Sequence, residues 1–228
     1  MEAQEQHPPT ESEKKQKKVK NDRFKWWQSL LLLIGTLAIC LTAGYYISDR
    51  FLWEKSDSAQ ITEQINYYKE EVNRKPNDPE IRVQLGYSYF LKKDYKEAIK
   101  QYQTAVSLDK KYYDAYLNLS IVYDKQGDHD KALQYAQKSI KISPLDYKGH
   151  LLKGKSYREL KMYKEAKAAL DEAYRLKPGN VDTLFEIGKV AEAQGDKKEA
   201  EAIYKETLSF DPLFKPALKA LDNIASKN

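Results

Sequence analysis

The sequence has almost no cysteine and almost no histidine, and both scarcities narrow what it can do. Cys40 stands alone, so no intramolecular disulfide framework can staple a fold, although one cysteine says little about redox compartment. The histidines, His7, His129 and His150, are too scattered to build zinc-ligand spacing, and no metal is expected. The chain also lacks a phosphate-cradling GxxxxGK(S/T) loop, a GxSxG elbow and an HExxH helix. Its carboxylates fall on solvent faces and turns; pairs such as Glu70-Glu71 need no functional explanation. No catalytic residue, no cofactor and no small-molecule substrate are expected, and the chain reads as non-enzymatic. A formal charge of +5 over 228 residues is too modest to suggest nucleic acid, and much of it sits in one N-terminal run.

Residues 1–25 are polar, carry Pro8-Pro9 and hold almost no large apolar side chain before Phe24, so they are expected to form a disordered basic tail. From Trp26 to Ile47 there is no charged residue. A helix of that length spans about 33 Å, enough for the ~30 Å hydrocarbon core of a bilayer. Trp26 and Trp27 flank one end, Tyr45 and Tyr46 the other, and Trp53 lies just beyond, as membrane-interface aromatics do. Lysine and arginine crowd the N-terminal side (Lys14, Lys15, Lys17, Lys18, Lys20, Arg23, Lys25), against Arg50 and Lys55 on the other. That asymmetry predicts a single-pass protein of the cell membrane, with a cytoplasmic N-terminus and residues beyond the span outside the cytoplasm. A cleaved signal peptide has the same order of parts, with a weak cleavage site at Thr42-Ala43-Gly44. The apolar stretch continues past that site to an aromatic boundary, which favours a retained span. A lipoprotein signal fails because Ile39, not a small residue, precedes Cys40.

The remainder repeats itself with a period of 34 residues. Gly86, Ser120, Gly154 and Gly188 are so spaced, and so are Ala98, Ala132, Ala166 and Ala200. Pro144, Pro178 and Pro212 keep the interval, with Lys110 in the first slot; Tyr89, Tyr123 and Tyr157 recur, with Ala191 completing the series. Each unit predicts two antiparallel helices. Leu85 and Tyr89 mark an apolar face on the first, Lys93-Asp94 makes the turn, matched by Gly127-Asp128 and Gly195-Asp196, and Ala98, Tyr102 and Ala105 lie on the second. The recurring proline stops the second helix.

These residues resemble the tetratricopeptide repeat (TPR), whose signature places Leu-Gly, Tyr, Ala, an aromatic, Ala and Pro at these offsets. Departures are Ser120 for glycine and Ala136 for the aromatic in unit two, Lys153 for leucine in unit three, and Ala191 in unit four. The resemblance implies an all-α right-handed superhelix of helix-turn-helix repeats. The expected organisation is a tail (1–25), a transmembrane helix (26–47), a linker (48–58), a degenerate half-repeat (59–78), four units (79–112, 113–146, 147–180, 181–213) and a capping helix (214–228).

The resemblance further implies a concave groove lined by first helices that binds a protein or peptide. Carried over position by position, the groove comprises Val83, Tyr87 and Phe90 from unit one, Leu117, Asn118 and Ile121 from unit two, Leu151, Lys155 and Arg158 from unit three, and Phe185 and Lys189 from unit four. Two alternatives stand for its chemistry. Val83, Leu117, Leu151 and Phe185 share one register and either anchor an apolar partner or tighten packing between units. Lys155, Arg158 and Lys189, with Lys148 nearby, form a basic wall for a partner of acidic character, or are ordinary solvated surface. The Lys and Asn clamp that grips chaperone tails is not expected, because Val83, Tyr87, Leu117 and Ile121 occupy its positions. The resulting expectation is a membrane-anchored scaffold or assembly factor, with a non-catalytic regulatory subunit of a membrane enzyme or secretion complex as the alternative.

Overall fold

The computed structural model describes residues 26–48 and 54–226. The tail, Trp53 and the remainder of the linker expected before it lie outside the described residues. The chain divides into two units, residues 1–55 and 56–228.

In the first unit, α1 (Trp26–Ile47) is a 22-residue helix with no buried residue. Among the described residues it is the one helix long and apolar enough to cross a membrane, and its aromatics Trp26, Trp27, Tyr45 and Tyr46 are all exposed. A helix apolar on every side has no polar face to offer water, so it requires an apolar surrounding.

The second unit is a stack of helices, and among the described residues it contains no strand. α2 (Glu54–Arg74) opens the stack, starting five residues ahead of the expected 59, because no proline or glycine interrupts the segment. Four pairs follow: α3 (Pro79–Leu91) with α4 (Tyr95–Leu108), α5 (Tyr113–Lys125) with α6 (His129–Ile142), α7 (Tyr147–Glu159) with α8 (Tyr163–Leu176), and α9 (Val181–Ala193) with α10 (Lys197–Phe210). A single helix, α11 (Lys215–Ala225), follows, with Ala217, Ala220 and Ile224 buried.

Caps fix the phase of the helices. Asp78 accepts from the backbone N–H groups of Glu80 and Ile81 at the head of α3, and Asp94, Asp128 and Asp196 start α4, α6 and α10 in the same way. Between the helices of each pair, the four turn residues 93, 127, 161 and 195 share one register and one left-handed conformation: Lys93 (φ 65°), Gly127 (φ 79°), Lys161 (φ 61°) and Gly195 (φ 87°). Within a pair, packing rests on a size match. The Tyr102 ring lies so close to Gly86 that an added Cβ would come within 2.6 Å of it, and a Cβ added to Gly188 would come within 2.5 Å of the Tyr204 ring. Unit two inverts the match: Ser120 fits where glycine stands elsewhere because Ala136 replaces the aromatic, and the Ser120 hydroxyl donates to the Ala132 carbonyl at 2.8 Å.

Across units, each first helix touches the next: α3 meets α5, α5 meets α7, and α7 meets α9. The layer of first helices is therefore the inner, more closely packed one, and it presents one continuous face.

Candidate functional site

The register of Val83, Leu117, Leu151 and Phe185 is buried or half-buried in the array. Val83 and Leu117 are only 6% exposed, Val83 within the core built by Ile65, Leu85 and Tyr102. Leu151 is half-buried against Leu170 and Val190, and Phe185 is half-buried between Tyr204 (5.4 Å) and Phe214 (5.6 Å). None of the four is exposed, and Val83, Leu151 and Phe185 pack with second-helix residues such as Tyr102, Leu170 and Tyr204.

What the groove presents differs from end to end. In unit one Tyr87 is 46% exposed and stacks on Phe90 at 6.3 Å; Phe90 leans on Tyr95 at 5.7 Å. Ile121 and Asn118 of unit two are half-buried beside them in sequence register, and the Asn118 amide donates to the Asp114 carbonyl of its own helix at 2.8 Å. This end is aromatic.

The other end is ionic, but it is not the basic wall expected from Lys155, Arg158 and Lys189. Lys155 Nζ lies 2.8 Å from Asp124 Oδ2 across α5 and α7. Arg158, buried, donates from Nε to Glu186 Oε2 at 2.9 Å and from Nη2 to Glu159 Oε1 at 2.8 Å. Lys189 Nζ stands 3.7 Å from Glu186 Oε1. Three cations thus meet three carboxylates, and the wall carries little net charge. Burial opposes the Arg158 charge, yet Glu186 and Glu159 outweigh it and hold its pKa above the ordinary value. For Lys189 burial prevails, and with Arg158 nearby it lowers the pKa despite Glu186. Asp124, Glu186 and Glu192 escaped the sequence reading although the period marks two of them: Asp124 and Glu192 occupy the register of Phe90 and Arg158. Glu192 accepts from the Tyr204 hydroxyl at 2.7 Å.

Among the described residues, no three histidine, cysteine, aspartate or glutamate side chains stand close enough to share a metal ion. An elongated face with an exposed aromatic end and a self-paired ionic end is suited to holding a chain of residues along its length.

Comparison with known proteins agrees with the repeat. Tetratricopeptide repeat profiles match residues 78–144 and 157–222. The chain is 27% identical over 178 residues to the human Protein O-mannosyl-transferase TMTC1, a match that covers 75% of this chain and 20% of that protein. Among solved structures it is similar to TTC0263, a thermophilic TPR protein of Thermus thermophilus, with a TM-score of 0.64, 18% identity, and coverage of 75% of this chain and 94% of that one. It is similar also to YrrB, a TPR protein with an unusual peptide-binding site, with a TM-score of 0.57, 19% identity, and coverage of 72% and 85%. With most of its length folded into stacked 34-residue helix pairs that these profiles match, the chain belongs to the tetratricopeptide repeat family of protein-interaction scaffolds.

Proposed function

We propose that the chain is a membrane-anchored, non-catalytic scaffold or assembly factor that holds a polypeptide partner along the first-helix face of its repeats. The observation that carries this reading is the continuous face of α3, α5, α7 and α9, left open along the stack with Tyr87 exposed upon it. Membrane anchorage is supported by α1, whose 22 residues are apolar and unburied, with aromatics at both ends. The lysine and arginine excess before Trp26 favours a cytoplasmic N-terminus and an extracytoplasmic repeat array. YrrB, a fold relative whose peptide-binding site is unusual, fits a family in which such a site can take more than one form.

Two measurements test the proposal. Alkaline carbonate extraction leaves the full chain in the membrane pellet; release into the supernatant refutes the anchor. Protease added outside intact cells or right-side-out vesicles cleaves within 56–228 at exposed turns such as Lys161-Met162; protection until the membrane is permeabilised refutes the orientation. Purification of the full chain from gently solubilised membranes then distinguishes one stoichiometric partner, the mark of a subunit, from a range of clients, the mark of an assembly factor.

A further inference from the structure

Unit one buries a hydroxyl that bonds to nothing. Tyr102 is 1% exposed, and its hydroxyl has no hydrogen-bond partner. Unit four contains the same construction, Tyr204 on Gly188, but there the hydroxyl donates to Glu192 on the first-helix face. Phe90 occupies the Glu192 position of the period, so unit one has a ring where unit four has the acceptor.

The charges point to the same end. Around Tyr87, Phe90 and Ile121 the ion of the groove register is Asp124, which is already paired with Lys155, and farther along Arg158 and Lys189 have carboxylate partners too. A charged partner would have to break pairs already made in this register, at either end. An uncharged partner loses nothing by packing at the first.

We propose that Tyr87, Phe90 and Ile121, over the Tyr102 hydroxyl, form the anchor subsite for an uncharged polypeptide segment. An aromatic or branched apolar side chain of the partner packs on the exposed Tyr87 ring. A partner backbone carbonyl accepts from Tyr102 once the Tyr87–Phe90 stack turns aside. This rests on the groove reading above and assigns its partner chemistry.

The test pans a phage-displayed library of random 12-residue peptides on the full chain in lipid nanodiscs. Enriched peptides are then resynthesised and their binding measured by fluorescence anisotropy. Enriched peptides are expected to be uncharged with an aromatic or branched apolar residue. Tyr87→Ala weakens them tenfold or more. Tyr102→Phe weakens them at least fivefold with an unchanged or raised thermal midpoint, while Tyr204→Phe, which removes a hydroxyl already bonded within the protein, leaves binding as it was. Unchanged binding in Tyr102→Phe overturns the subsite, as do acidic peptides whose binding is lost in Lys189→Gln, and in both cases the groove reading survives. Peptides insensitive to substitution at Tyr87, Ile121, Lys155 and Lys189 alike, or no enrichment at all, overturn both.

Discussion

At the scale of single residues, unit two shows that departures from a repeat come in pairs. Ser120 and Ala136, seen one at a time, each look like decay of the period. In the fold they are one exchange, a larger residue on α5 answered by a smaller one on α6, and both are buried. The same exchange can be built into unit one. Gly86→Ser alone forces a side chain into the Tyr102 ring and should cost about 1–3 kcal/mol. Tyr102→Ala alone leaves a cavity and should cost about 3–5 kcal/mol. The double variant should be more stable than the sum by at least ~1 kcal/mol, since the serine fills part of the space and can bond the Ala98 carbonyl as Ser120 bonds that of Ala132. Denaturant midpoints of the full chain in detergent measure the cycle, and simple additivity would show that the two positions are not coupled. The period was legible from the sequence. The coupling was not, because it depends on which ring rests on which backbone.

At the scale of elements, the third unit is the irregular one. Its turn lacks the glycine and aspartate of units two and four, yet Lys161 adopts the same left-handed backbone as Gly127 and Gly195. Met162 caps α8 with no side-chain hydrogen bond, where Asp94, Asp128 and Asp196 supply one. The sequence reading found turns in units one, two and four from their aspartates and passed over this one, since neither lysine nor methionine signals a turn. Neighbouring units dictate the conformation, and the local residues follow. Lys161→Gly relieves a strain of about 1–2 kcal/mol against a smaller entropic cost, and Met162→Asp restores a cap of about 1 kcal/mol. Together they should stabilise the array by about 1–2 kcal/mol, read as a rise in thermal midpoint. Equal or lower stability would mean that the turn is held in some other way.

At the scale of the whole array, the apolar core is not one body. A large cluster runs from Ile65 to Ala132, a small one joins Ala166, Leu170 and Val190, and a third holds Ala191, Tyr204 and Ile224 around α11. The break falls at α7, whose buried residues are Gly149, Gly154, Ser156 and Arg158. Lys153 stands there in the register of Leu85 and Leu119, with its ammonium 5.7 Å from the Tyr157 ring. Paired charge takes over the join. Arg158→Ala should cost up to about 3 kcal/mol, because Glu186 then keeps only the more distant Lys189 at 3.7 Å, while replacing both with methionine should restore most of that loss. Denaturant unfolding measures both, and a loss below ~1 kcal/mol for the single variant would remove the pair from the array's support. The sequence revealed the cations of this join but not their partners. A charge at one repeat position finds its counter-ion one unit away, a distance that the linear order conceals. The apolar identity of Val83 and Leu117 was visible as well, but not that both would be buried.

The size match inside each pair also limits how such a chain can be inherited. A crossover at the turn between first and second helices could join α5 to α4, setting Ser120 against Tyr102. The reciprocal product would set Gly86 against Ala136 and leave a hole. Breakpoints between whole pairs avoid both outcomes, so gain or loss of repeats in this lineage should proceed in steps of two helices, with each glycine or serine travelling together with the residue it accommodates.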